Sequence, residues 1–357
     1  MEIEPDFFAK EAFYQKIKDL DKTIVIVTHT NLKKHFGHYL KKRLIAHGID
    51  TKLIDFPTGE KAKSEETIAK IQHKMLGMHL GKNTAILALG GGIVSDVAGF
   101  VASTYNRGIP LILFPTSLLA MVDAAIGGKT GVNTKYGKNL IGSIYMPEMI
   151  FLDLRMLNFL PDKEWTNGLA EVMKYAVSLD SHVFEILENG LDKWAGKDPA
   201  FIQELIIQSC QLKISVVEKD TLESGYRRVL NFGHTIAHAI EVCEKYEFAH
   251  GHAVIIGVLV EAYISMRAAN FPEESFEKIV TLTRAYNFPL KVSKKTTKKK
   301  IMHAMQYDKK SKDCTPRFVL LKSLGEVHSF DGEYCTEVKN SIIENALDWM
   351  FTLFKEV

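Results

Sequence analysis

The feature that most constrains this chain is an alternation of two patterns over roughly its first 150 residues. Residues 23–28, 51–56, 84–89 and 109–114 are short β-branched and aliphatic runs. Helix-period stretches with charged faces fill the gaps, notably 32–47 and 64–80. Strand–helix–strand succession of this kind predicts a parallel sheet covered by helices on both faces. Ser64, with Glu66 and Thr67 behind it, reads as a helix start, and Gly48 and Gly81 sit where helices should end.

The texture changes after about residue 155. From Pro161 the pattern is mostly helical: Phe201, Ile202, Leu205, Ile206 and Ser209 fall on one stripe, and Asp162 suits the cap of a helix over 164–177. A chain of 357 residues exceeds one compact core. The expected fold is therefore α/β, a parallel-sheet domain over 1–155 followed by a mainly α-helical domain over 156–357. Composition excludes some partners. A net charge of +2 creates no global field for nucleic acid or a membrane surface. Nine lysines between Lys291 and Lys312 read as a solvated helical face starting near Thr296 or Thr297, because Tyr307 is the one aromatic among them. The acidic residues 1–6 lack a signal-peptide pattern, and apolar runs such as 110–114 and 253–260 fall short of the ~20 residues of a spanning helix. Cys210, Cys243, Cys314 and Cys335 form no C-x-x-C pair and read as reduced thiols, which places the chain in the cytoplasm.

Three segments carry chemistry. Residues 85–89 run into Gly90-Gly91-Gly92 and then an apolar helix, a turn in which backbone amides can approach a pyrophosphate, or a tight structural turn. Asp96, one turn into that helix, suits a ribose hydroxyl or a cap. Further on, Arg107, Lys129 and Lys138 lie among glycines and small residues, which fits a small multiply charged anion. An NTPase loop is excluded, since Asp123 stands where its first glycine should be. Finally, His234 and His238 share a helical face, His250 and His252 follow, and Glu171 interrupts a small-and-apolar helical stretch. One glutamate with two histidines makes a catalytic zinc set that leaves positions open for substrate oxygens. Thr235, standing where a zinc protease needs its glutamate base, argues against peptide hydrolysis.

Together, residues 57–63 (PTGEKAK), 90–99 (GGGIVSDVAG), 107–143, 168–175 (GLAEVMKY), 213–223, 227–241 and 250–254 resemble, in order, the dehydroquinate synthase family of sugar-phosphate cyclases. The resemblance implies a Rossmann-like NAD domain followed by a helical domain that binds metal and substrate, and a homodimer. It implies Glu171, His234 and His250 as ligands of zinc, with cobalt as the other candidate ion. Toward NAD it implies Asn31, Glu60, Lys63, Gly91, Gly92, Asp96, Thr116 and Ser117, with Asp123, Lys129 and Lys138. Around a sugar-phosphate substrate it implies Arg107, Asp123, Lys129, Lys138, Asn139, Lys174, Lys213, Arg227, Asn231 and His238, with Glu223 in support and a lysine from Lys309 or Lys310.

The implied reaction turns a seven-carbon keto-sugar acid phosphate into a carbocycle by transient oxidation, phosphate elimination, re-reduction and aldol closure, with no net redox change. Two positions depart from the family pattern: His29 stands where an acidic residue is common after the first strand, and His252 where glutamate is common. Rival readings are a sister cyclase for another sugar phosphate and a metal-dependent NAD alcohol dehydrogenase. Lys213, Leu230, Asn231 and His238 follow the dehydroquinate synthase pattern, and the phosphate-binding lysines argue against the dehydrogenase.

Overall fold

The computed structural model describes residues 1–245, 247–306 and 315–354, and divides into two compact units, Met1–Glu164 and Trp165–Val357. In the first unit the strands are β1 (Glu2–Glu4), β2 (Thr23–His29), β3 (Thr51–Phe56), β4 (Thr84–Gly90), β5 (Leu111–Pro115), β6 (Lys129–Thr134), β7 (Gly137–Ile144) and β8 (Met149–Asp153). Six of them form one sheet in the order β1-β8-β5-β4-β2-β3, every neighbouring pair parallel. β6 and β7 stand apart as an antiparallel hairpin. Every residue of β4 is buried, as are the five central residues of β2, the pattern expected of strands with helices on both faces. Val25, Val27, Ile86, Ala88, Leu111 and Leu113 pack with Ile68, Ile71 and Met75 of the helix Glu65–Gly77 and Val94, Val97 and Val101 of the helix Gly92–Thr104. Each fully buried aliphatic side chain contributes about 1.5–3 kcal/mol.

This strand order reverses direction at β2. After β2 the chain pairs β3 on one side, then returns to lay β4 on the other. Ligands of open α/β sheets bind beyond the carboxyl ends of the strands at such a reversal. His29 ends β2 and Gly90 ends β4 there, and Thr28 Oγ1 ties the strands by donating to Leu89 O at 2.7 Å.

β1, β8 and the hairpin lie outside the four runs legible as strands. β1 is only three residues long and is held by tertiary bonds: Asp153, buried at the end of β8, accepts from Asp6 N at 3.0 Å and Phe7 N at 2.9 Å. The stretch expected as one helix over 32–47 is helical from Thr30 to Ala46, wound more widely as a π-helix over Lys33–Gly37. Gly48 takes φ +77° past that helix, whereas His79, not Gly81, adopts the left-handed conformation after the helix Glu65–Gly77.

The second unit is mainly helical, with Asp162–Ser178, Pro199–Lys219, His234–Cys243, His250–Ala269, Glu273–Ala285, Lys298–Gln306 and Asn340–Phe354 as its main helices. Asp162 begins the first of these rather than capping it. The stripe Phe201, Ile202, Leu205, Ile206 and Ser209 is buried. Thr297 Oγ1 accepts from Lys300 N at 3.4 Å at the start of the lysine-rich helix, and Lys298 pairs with Asp348 at 2.8 Å. The expectation that no apolar stretch reaches spanning length needs correction: Pro199–Lys219 and His250–Ala269, 21 and 20 residues long, are long and apolar enough. The sequence runs are shorter because charged and polar residues such as Lys213 and Glu261 interrupt them, and both residues are buried.

Candidate active site

The second unit brings three donors to one point. Glu171 sits on the helix Asp162–Ser178 and is wholly buried. His234 and His250 are the first residues of their helices. His250 Nε2 lies 3.3 Å and His234 Nε2 3.5 Å from Glu171 Oε1, and the three ligand atoms fall within 4.8 Å of one another.

Two glycines allow this approach. A Cβ on Gly257 would stand 1.9 Å from Gly233 O, so the helices carrying His250 and His234 cross in backbone contact. A Cβ on Gly251 would stand 2.3 Å from Asn167 O, and Gly251 N instead donates to Asn167 Oδ1 at 2.6 Å, one turn before Glu171. Gly233 has no side chain to cap its helix. Glu261, fully buried on the facing helix, accepts from Gly233 N at 2.8 Å and Ile236 N at 3.1 Å and satisfies those amides instead.

The donor set fits a divalent cation. Ligands about 2.1 Å from a tetrahedral zinc lie ~3.4 Å apart, and the two Glu171–histidine separations are 3.3 and 3.5 Å. His234 Nδ1 donates to Phe232 O at 3.1 Å, and His250 Nδ1 lies 3.5 Å from Glu241 Oε1. An Nδ1–H held by an acceptor leaves the Nε2 lone pair free, and in both rings Nε2 faces Glu171. Burial opposes ionisation of Glu171, but the Lys174 ammonium and His250 outweigh it and hold the carboxyl down at about 2. Burial likewise opposes charge on His250, yet Glu171 and Glu241 push the imidazole up to about 10. The arrangement favours positive charge at its centre.

Lys174 is buried and ion-paired with Glu171 Oε2, so one carboxylate oxygen serves the histidines and the other the lysine. Lys213 is buried on Pro199–Lys219. Tyr175, Val216, Val229 and Leu230 pack into one apolar cluster, which joins the segments bearing Lys174, Lys213 and Arg227 with Asn231. Arg227 is buried and donates from Nη1 to Thr221 O at 2.7 Å. Glu223, at φ 60°, accepts from Asn231 Nδ2 at 3.0 Å. The His238 ring lies 5.4 Å from that of His234. His252 stacks on Phe248 at 4.2 Å, and burial keeps it below its ordinary pKa. Lys309 and Lys310 lie outside the described residues.

In the first unit, the positions proposed for the cofactor gather around the end of β4. Ser117 Oγ would be 3.1 Å from a Cβ on Gly91, Thr116 N donates to Gly90 O at 3.0 Å, and Gly92 leaves a similar clearance to Ala124. Gly91 has no side chain with which to cap the helix Gly92–Thr104, and Asp96 pairs with Lys63, which also donates to Asn139. Burial raises the Asp96 pKa against the pull of Lys63, with the charges of Glu60 and Asp123 adding to the rise. Lys138 Nζ lies 3.9 Å from Glu60 Oε1. Lys129 begins β6, after Gly127 and Gly128 at φ 97° and 66°. Arg107 and Asn139 hold left-handed backbone at φ 67° and 54°, a conformation that non-glycine residues adopt rarely and mostly where function or a turn requires it. Asn31 is exposed just past β2, where His29 Nδ1 accepts from Leu32 N at 3.3 Å and burial keeps the ring below its ordinary pKa.

Known proteins match this chain along most of its length. The family model described as 3-dehydroquinate synthase N-terminal covers residues 53–167, and the one described as 3-dehydroquinate synthase C-terminal covers 168–311. A 3-dehydroquinate synthase from Dehalococcoides mccartyi (strain CBDB1) is 38% identical over 85% of this chain and 84% of its own length. One from Nitrosomonas europaea is 38% identical over 87% and 84%. The chain belongs to the 3-dehydroquinate synthase family.

Solved structures give the same fold. A 2-epi-5-epi-valiolone synthase from Streptomyces hygroscopicus subsp. jinggangensis 5008, with NAD+ and Zn2+ bound, superposes with TM-score 0.89 at 25% identity, covering 98% of this chain and 96% of that one. An iron-containing alcohol dehydrogenase from Thermotoga maritima reaches TM-score 0.65 at 16% identity, over 99% and 98%. The fold is therefore common to both rival readings, and identity separates them from the 3-dehydroquinate synthases.

Four supporting residues escaped the motif reading. Glu241 and Glu261 brace the histidines. Asn133 donates to Glu60 at 2.7 Å and accepts from Asn139 N at 3.1 Å. Asp220 accepts from Ser224 N and Oγ, Gly225 N and Arg227 N at 2.7–3.0 Å and so shapes the loop carrying Glu223. Only Glu241, seven residues past His234 on one face, left a readable periodic signal.

Proposed function

We propose that this chain is a 3-dehydroquinate synthase, converting 3-deoxy-D-arabino-heptulosonate 7-phosphate to 3-dehydroquinate and phosphate. The observation that carries the proposal is the convergence of Glu171, His234 and His250 in a chain that shares 38% of aligned residues with named 3-dehydroquinate synthases. A divalent ion held by these three would supply Lewis-acid charge to substrate oxygens, and NAD a transient hydride acceptor.

We assign NAD binding to residues 1–155, and metal and most substrate contacts to 156–357. Arg107, Lys129, Lys138 and Asn139 would neutralise and hold the phosphate as negative charge builds on it. Lys174, Lys213, Arg227, Asn231 and His238 would orient the carboxylate and hydroxyls, with Glu223 fixing the Asn231 amide. Glu60, Lys63, Asp96, Thr116 and Ser117 line the carboxyl ends of the strands and would hold the dinucleotide. Cytoplasmic location, a homodimer and no membrane or nucleic-acid partner belong to the same reading.

The deciding assay incubates purified protein with Zn2+, a catalytic amount of NAD and the heptulosonate phosphate. Inorganic phosphate should appear with no accumulation of NADH. Conversion of the added NAD to NADH, with reaction stopping once it is spent and no phosphate released, would favour the dehydrogenase reading, and turnover of sedoheptulose 7-phosphate instead would favour the sister cyclase.

A further inference from the structure

The two histidines of the cation site are fastened differently. His234 is held at Nδ1 by a neutral acceptor, the Phe232 carbonyl at 3.1 Å. His250 has a carboxylate at that position, Glu241 Oε1 at 3.5 Å, while its Nε2 lies 3.3 Å from Glu171. Glu241 is buried and sits two turns beyond His234 on the same helix. One helix thus supplies a ligand directly and reaches the second through a side chain. A carboxylate that accepts Nδ1–H fixes the ring's rotation and makes the opposite nitrogen a stronger donor, whereas a carbonyl does chiefly the first.

We propose that Glu241 is a positioning residue that sets how tightly the site holds a divalent cation, acting through His250. This rests on the reading of Glu171, His234 and His250 as ligands. It assigns the two imidazoles unequal parts: His234 is placed by the backbone, and His250 by a side chain that substitution can remove.

The test measures Zn2+ affinity of the metal-stripped full chain by competition with a chromophoric chelator at one pH. Wild type is compared with Glu241→Ala, Glu241→Gln and His250→Ala. Glu241→Ala should weaken binding by about 10–100-fold, and Glu241→Gln by less, because an amide oxygen still accepts Nδ1–H without the charge. The visible spectrum of the Co2+-loaded Glu241→Gln protein should shift, reporting changed His250 ligation that a purely structural role would leave alone. Thermal unfolding of the stripped proteins identifies a folding defect; if Glu241→Ala fails to fold, Glu241→Gln decides. Wild-type affinity in the Glu241 variants, with binding weakened in His250→Ala, overturns this proposal alone. Wild-type affinity in His250→Ala overturns the metal site itself.

Discussion

Replacing Gly257 with alanine should dismantle the metal site from a position that touches no ligand. The added Cβ would stand 1.9 Å from Gly233 O, and real Cβ atoms stay beyond 3.0 Å, so the two helices must part by at least about 1.1 Å. The obstacle is backbone, and that carbonyl also accepts the first helical bond from Ala237 N at 3.0 Å, so it has little freedom to turn away. His234 follows Gly233 directly and must move with it. Metal–ligand distances tolerate about 0.2 Å, so a displacement several times larger should lower Zn2+ affinity by at least ~10-fold. Overpacking should also cost about 1–3 kcal/mol, a drop of roughly 2–12 °C in Tm for a unit of this size. Chelator competition and calorimetry on Gly257→Ala measure both. Gly77→Ala is the control, because a Cβ there meets nothing within 4 Å. Gly257→Ala with wild-type Zn2+ affinity would refute the reasoning, since helix contact would then not be what sets the ligand spacing.

Other outcomes follow from the same geometry. His234→Ala should lose bound metal while circular dichroism stays native; full metal content would refute the ligand assignment. Asp220→Asn places an amide donor against Gly225 N and Arg227 N, and should raise KM for the sugar phosphate more than it lowers kcat; equal effects on both would count against a positioning role. Burial opposes the Asp220 charge, but hydrogen bonds from Gly225, Arg227 and Ser224 hold its carboxyl well below the usual range. A depressed folded pKa stabilises above the unfolded value, near 3.9, and that stabilisation is lost as pH falls through the lower folded value. The Tm gap between wild type and Asp220→Asn should therefore be full above about pH 5 and narrow below about pH 4. Burial pushes the Cys210 thiol up to about 12, so at about pH 9 it should resist alkylation in the native protein and react on unfolding.

The sheet was legible because β2 to β5 are apolar runs whose period owes nothing to distant partners. β1 was not, since three residues of mixed polarity become a strand only when Asp153 collects the amides of Asp6 and Phe7. The same contrast runs through the site. Glycine turns, clustered histidines and a carboxylate in an apolar stretch announce themselves by residue type. Glu261, Asp220 and Asn133 look like ordinary polar residues in sequence, because their task of closing off amides and side chains becomes visible only when distant segments meet. Lys63 shows the limit from the other side: its family motif marks it for the cofactor, but nothing local predicts its pairing with Asp96.

Precision in this site is thus bought by groups that do no chemistry. A divalent ion selects ligand spacing to a few tenths of an ångström, far finer than helix packing guarantees, which scatters by 15–20° in crossing angle. Backbone contact at Gly233 and Gly257 removes that scatter at one crossing, because no side chain lies between the two chains to be repacked. Gly251 against Asn167 removes it at the other, and the buried carboxylates of Glu241 and Glu261 then fix one ring's rotation and one helix's start. A relative that retained Glu171, His234 and His250 but carried a larger residue at Gly257 would keep the motif and lose the geometry. Ligand identity in sequence is therefore a weaker predictor of metal binding here than ligand identity together with the small residues at the crossings.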